Sequence, residues 1–180
     1  MKNKRNLFLI ALIVPILLLV SMTWKPLWTV NKGETVLLET IPVDPRDILY
    51  GDYVQLQFAI EEFGPDSIEP ALLDKLTSKY SGNLKVYAVL ERQNSEELYG
   101  LKMITDKKPS DDLYLEGTMY YYGEPYDGSH TVYYADFLPD RFYVSENTGT
   151  ELEKLSQRGK LLAEMKVKDG FAVLQDIYPK

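Results

Sequence analysis

A run of apolar residues from Leu7 to Val20, continuing through Met22 to Trp24, leaves the start of this chain few choices of environment. As a helix the run spans about 27 Å, close to the ~30 Å hydrocarbon core of a bilayer. Pro26, Leu27 and Trp28 extend it across the remainder. Pro15 would break a helix in water, but a membrane helix tolerates it because the freed backbone groups find local substitutes. Trp24 and Trp28 stand where an interfacial aromatic belt is expected. Lys2, Lys4 and Arg5 precede the run, and Lys25 and Lys32 follow it. With the α-amine added, this bias places the N-terminus inside and the rest of the chain outside. A cleaved signal peptide would have a shorter apolar core and an Ala-x-Ala-like end. Here the run leads into Val20-Ser21-Met22-Thr23-Trp24 instead, and an uncleaved anchor is the reading adopted.

The expected organisation is a basic cytoplasmic tail over residues 1–6, a transmembrane anchor over 7–28 and an extracytoplasmic domain over 33–180. With no cysteine in the chain, disulfides, thiolate metal sites, cysteine nucleophiles and a lipid-bearing cysteine are all excluded. An exported domain without disulfides must hold together on its core, and about 150 residues suffice for that. The net charge is −7, and removing the basic tail leaves a still more acidic domain. That balance argues against nucleic acid and against electrostatic docking on anionic lipid.

From Gly33 onward the dominant period is two, which predicts an α+β fold that is mostly β. Glu34 to Ile41 reads as a β-branched strand stopped by Pro42. Tyr53 to Phe58 alternates, with Val54, Leu56 and Phe58 on one face and Tyr53, Gln55 and Gln57 on the other. Gly64-Pro65-Asp66-Ser67 is a turn whose Asp66 or Ser67 can cap a helix over Glu69 to Tyr80. A hairpin follows, Leu84–Leu90 and Tyr99–Ile104. Thr105 to Asp112 reads as an exposed linker, and Tyr114–Tyr122 and Thr131–Phe137 as tyrosine-rich strands. A helix over Glu151–Arg158 ends at Gly159. The hairpin Leu161–Val167 and Phe171–Ile177 then turns at Lys168-Asp169-Gly170, where Asp-Gly is a strong local signal. Sliding the first half forward by about 79 residues places Phe58 on Phe137, Phe63 on Phe142 and Leu73-Asp-Lys-Leu76 on Leu152-Glu-Lys-Leu155. Two duplicated ββαββ units, with halves about 33–104 and 113–180, are expected on that ground.

Gly51-Asp52-Tyr53-Val54-Gln55-Leu56-Gln57-Phe58 is similar to the motif that defines the GDYXXLXY family of bacterial membrane-anchored proteins, and Asp44-Pro45-Arg46-Asp47 looks like its usual lead-in. Arg141 to Gly149 resembles the family's second recurrent stretch, an aromatic strand running into Glu-x-Thr-Gly and a helix. Phe58 replaces the motif's last tyrosine, and Ser145 and Asn147 stand where proline and glycine are usual. The resemblance implies a membrane-anchored protein of unassigned activity, sometimes associated with multi-pass membrane proteins, and supplies no catalytic residues.

The residues themselves permit three readings. In a structural one, Arg46 forks onto Asp44, Asp47 or Asp52 and pins the turn, while Gly51 supplies the conformation beside Asp52. In a binding one, the acidic turn, Tyr53 and the other tyrosines, of which the chain has 14, form a recognition surface for another membrane or exported protein. In a catalytic one, Asp47, Asp52 and Glu146 act as acid and base in a carboxylate-dependent envelope hydrolase. Glu146, shortly before the second helix, is favoured by the positive helix end and reads as a capping-region residue. A single histidine, His130, excludes His-rich zinc or iron sites; no phosphate loop or dinucleotide fingerprint supports a cofactor. The expected role is a non-enzymatic binding or assembly component of the bacterial envelope, with the bilayer as its first partner.

Overall fold

The structure is a computed structural model, described for residues 2–42, 53–77, 83–93, 98–120, 132–143 and 149–180. Helix α1 runs over Lys2–Lys32 and takes both Pro15 and Pro26 within it. Its apolar side chains from Leu7 to Val20 are exposed, as a lipid-facing surface requires. It is the one helix, among the described residues, long and apolar enough to cross a membrane. Near its end the environment changes, and Thr29 is buried against the domain that follows.

After Gly33 the chain enters β1 (Glu34–Glu39), then β2 (Tyr53–Gln55), a 3-10 turn (Ala59–Glu61), β3 (Glu62–Phe63), a second 3-10 turn (Pro65–Ser67) and α2 (Pro70–Thr77). Strands β4 (Asn83–Arg92), β5 (Leu98–Thr105), β6 (Tyr114–Tyr120), β7 (Tyr133–Asp136) and β8 (Arg141–Tyr143) come next. Helix α3 (Gly149–Ser156) and the strands β9 (Leu161–Lys168) and β10 (Phe171–Pro179) complete the fold. The domain is mostly β, as the alternation predicts.

Eight strands form one sheet in the order β10-β9-β1-β5-β4-β6-β7-β3, and β2 pairs with β8 in a separate ribbon. Strand β1 is antiparallel to β9, from Glu34 opposite Val167 to Glu39 opposite Leu162, and parallel to β5 at Leu37–Leu98. The sheet curls far enough for Leu115 of β6 to bridge Gly170 in parallel, where the Glu116 N–H donates to the Gly170 carbonyl at 2.8 Å. Gly170 has φ 81°, follows Asp169 at φ 52°, and lies so close to the Tyr114 ring that a Cβ would sit 2.5 Å from it. The expected Asp-Gly hairpin turn is thus present, with Lys168 opposite Phe171.

Two expectations on local structure change. The helix after Gly64 begins at Pro70, so the residue before it is Glu69, whose carbonyl accepts the Leu72 and Leu73 N–H groups at 2.9 Å; Asp66 and Ser67 belong to the preceding 3-10 turn. Proline suits the first helical position because its missing N–H would have no partner there. Thr105 to Asp112 is also less free than a linker. Thr105 Oγ1 donates to Glu69 at 2.5 Å and accepts the Lys107 N–H at 3.1 Å, Lys107 pairs with Glu69 at 2.9 Å, and Lys75 pairs with Asp106.

The inward face of β2 is the one the alternation predicts. Val54, Leu56 and Phe58 are buried, joining Val36, Leu38, Ile104, Leu115 and Met165 in one core with Leu72 and Leu76 of α2. Phe58 is fully buried, so at the position where the motif has its last tyrosine this chain uses the ring for packing.

Candidate functional site

The β2–β8 ribbon carries the chain's best candidate surface. Its register is Tyr53 opposite Tyr143, Val54 opposite Phe142 and Gln55 opposite Arg141. Period-two geometry sends Val54 and Phe142 inward and the other four residues outward. Core packing accordingly holds Val54 and Phe142, while Tyr143 is 71% exposed and Arg141 is exposed beside it. The Tyr53 and Tyr143 rings stand 6.1 Å apart, and the Arg141 guanidinium lies 5.1 Å from the centre of the Tyr53 ring. A cation held over an aromatic face is favourable by about 0.5–1 kcal/mol where water has access. Two phenols, one guanidinium and one amide therefore share a small outward platform.

Neighbouring elements fix the ribbon in place. Ser156 at the end of α3 donates its hydroxyl to the Gln55 carbonyl at 2.5 Å. The Leu56 N–H donates to the Asp140 carbonyl at 2.8 Å, and the Ile41 N–H to the Gln57 carbonyl at 2.9 Å. Glu61 closes the network from below. Its Oε1 accepts the N–H groups of Phe137 (3.1 Å) and Leu138 (3.2 Å), and its Oε2 accepts that of Phe58 (3.3 Å). One carboxylate thus ties the turn after β2 to the segment that leads into β8. Burial drives the Glu61 pKa up to about 7, although the three amide donors favour the ionised form and act in the opposite direction. Its two oxygens are occupied by backbone donors, so Glu61 holds chain segments together.

Of the site residues expected from sequence, Tyr53 is on the platform. Asp44, Arg46, Asp47, Gly51, Asp52 and Glu146 lie outside the described residues, and with them the Arg46 pin and the meeting of carboxylates that a hydrolase would need. The chain reaches Tyr53 directly from Asp52 and leaves Tyr143 towards Glu146, and these two tyrosines face each other across the ribbon. Among the described residues, no group of three or more His, Asp or Glu side chains could hold a metal ion. Arg141, Tyr143, Gln55 and Glu61 were not expected as a group. The alternation put Tyr53 and Gln55 on one face, but only strand pairing brings Arg141 and Tyr143 to them.

No curated protein and no solved structure matches the chain. A family model, described as GDYXXLXY protein, matches residues 15–177, which takes in the apolar helix from Pro15, the ribbon and the sheet as far as Ile177 of β10. The chain belongs to the GDYXXLXY protein family.

Proposed function

We propose that the protein is held in a bacterial cell membrane by α1, with its N-terminus in the cytoplasm, and that its exported domain binds another membrane or exported protein through the outward face of the β2–β8 ribbon. The observation that carries this reading is the platform of Tyr53, Gln55, Arg141 and Tyr143, whose rigid inner face is core. Tyrosine and arginine are enriched at protein interfaces because they combine a large apolar area with a polar tip. A ribbon seated on a packed core also loses little conformational entropy when a partner arrives.

Two related halves are part of the same proposal. The sheet order reads as two triplets, β10-β9-β1 and β5-β4-β6, each made of a hairpin and one further strand. Helix α2 covers Pro70–Thr77, and the shift of 79 residues carries it onto Gly149–Ser156, the bounds of α3. The same shift turns the pairs Val54–Phe142 and Gln55–Arg141 into Tyr133–Phe63 and Tyr134–Glu62, both of which are pairs of β3 with β7. Each half would then lend one strand to the other in both ribbons. The repeating unit has three strands before its helix, one more than the ββαββ expected, because the two-residue β3 is too short to read as a strand from pattern.

The test is a photo-crosslinking residue placed at Tyr143 in the full chain in its native membrane. One discrete adduct, lost when Arg141→Ala is added and not formed from the same residue at Asp169 in the β9–β10 turn, supports the binding face. Adducts equal at Tyr143 and Asp169 reject it.

A further inference from the structure

The junction between α1 and the domain has no linker. Gly33 is the one residue between Lys32 and β1, and its N–H donates to the Thr29 carbonyl at 2.7 Å, continuing the helical pattern. A Cβ at Gly33 would lie 2.5 Å from the Thr29 carbonyl oxygen and 3.0 Å from that of Val167, so backbone of helix, junction and β9 meet there without room for a side chain. Thr29 is buried. One helical turn earlier, the Lys25 ammonium lies 4.5 Å from the centre of the Phe171 ring at the start of β10. The helix end is thus fastened to the β9–β10 hairpin at several points.

The bilayer position of the helix then fixes that of the hairpin. Leu7–Trp24 covers about 27 Å of the ~30 Å hydrocarbon depth, and Trp24 and Trp28, stacked with ring centres 6.0 Å apart, mark the interface. Lys25 therefore stands at headgroup level, and Phe171 in contact with it stands there too. Strand β9 runs from Leu161 to Lys168, and its Lys168 end is the one beside the helix. Eight residues at about 3.3 Å each place Lys160 and Lys168 roughly 26 Å apart along the strand.

We infer that the β9–β10 turn is a membrane-contacting surface: the domain rests with Lys168, Asp169 and Phe171 against the phospholipid headgroups of the leaflet that α1 leaves, and holds the β2–β8 ribbon at the opposite, distal end. The ribbon's position follows from β1, which starts at the helix and runs on into Thr40, the residue that bridges Phe58, and from Ser156 of α3, which precedes the distal start of β9. The turn carries Lys168 and Asp169 as a pair 3.8 Å apart, so its contact with lipid is set by the tether and not by net charge. A partner that reaches the ribbon does so away from the bilayer, which favours a water-exposed segment over a membrane-embedded helix.

The inference rests on the anchor reading, and the experiment separates the two. Because the chain has no cysteine, Lys168→Cys and Lys160→Cys give two singly labelled full-length proteins. Each is placed in phosphatidylcholine nanodiscs containing a lipid with a headgroup-linked fluorescence quencher. Quenching several-fold stronger at position 168 than at 160 is expected. Insertion of a four-residue Gly-Ser segment after Gly33 should bring the two values together. Equal quenching without that insertion overturns the seating alone, since the protein has entered the disc. Failure to enter the disc at all overturns the anchor reading and the seating with it.

Discussion

Glu61 is a side chain whose protonation is written into stability. Burial raises its pKa to about 7 from an ordinary 4.5, so between those values the folded domain holds a proton that the unfolded chain has lost. Stability must therefore fall as pH rises from 4.5 through about 7, by at most about 3 kcal/mol, and level off above that. Glu69 and Asp106 work the other way. Thr105 and Lys107 hold the Glu69 carboxyl below its ordinary range, and Lys75 does the same for Asp106, so their contribution is lost as pH falls below about 4. Glu61→Gln should flatten the upper slope and cost about 1–3 kcal/mol at pH 5, because the amide cannot accept all three N–H groups. Melting temperatures at pH 5 and pH 8 check this, and a slope unchanged in the variant would reject the assignment to Glu61. At Gly170 the constraint is geometric. With φ at 81° and the Tyr114 ring against it, Gly170→Ala should cost about 1–2 kcal/mol from backbone strain alone, measured by denaturant midpoint. Loss of much less would mean that the turn does not hold residue 170 at positive φ.

Ribbon β2–β8 separates two roles on its two faces. Val54 and Phe142 belong to the core, while Arg141 and Tyr143 are exposed. Truncating Phe58, which is fully buried at the ribbon's exit, should cost about 3–5 kcal/mol as Phe58→Ala. Tyr143→Ala should change stability by no more than about 0.5 kcal/mol, and Arg141→Ala by no more than about 1 kcal/mol, the worth of its exposed contact with the Tyr53 ring. Their effect is expected in adduct formation with the partner instead. A large drop in melting temperature for Tyr143→Ala would make the platform structural. Helix α3 seats this ribbon, and α2 packs into the core beneath the sheet. Leu72 and Leu76 of α2 lie in the core, and Ser156 of α3 grips β2 by its backbone.

Across the whole molecule, the apolar helix α1 and the sheet share a junction of one residue. Protease added to intact protoplasts should digest the domain and spare α1, with the N-terminus protected inside. A mature protein beginning near Thr23 and released into the medium would reject that topology. The acidic composition of the domain gives no attraction to anionic lipid, so the proposed seating would depend on the covalent and packed connection at Thr29, Gly33 and Phe171.

The apolar helix, the β-rich class, the inward face of Val54, Leu56 and Phe58, the second hairpin and its Asp169-Gly170 turn were all legible in the sequence. Each depends on interactions within a few residues: a hydrophobic run, a period of two, or a left-handed turn that Gly and Asp tolerate. The start of α2 at Pro70 falls one residue from the expected Glu69, but Asp66 and Ser67, expected to cap it, sit in the turn before it. What tertiary structure alone decided is which strand stands beside which. The parallel pairing of β1 with β5, the return of β6 to Gly170 and the meeting of Tyr53 with Tyr143 join residues far apart in the chain, such as Leu115 with Gly170 and Tyr53 with Tyr143. Alternation states which face a side chain takes, but not the neighbour across the strand, because the same apolar face can pair with many others until the core is packed. Glu61 shows the same limit at one residue. No local pattern singles it out, and only the approach of the Phe137 and Leu138 N–H groups, 76 and 77 positions along the chain, makes it a partly buried tie.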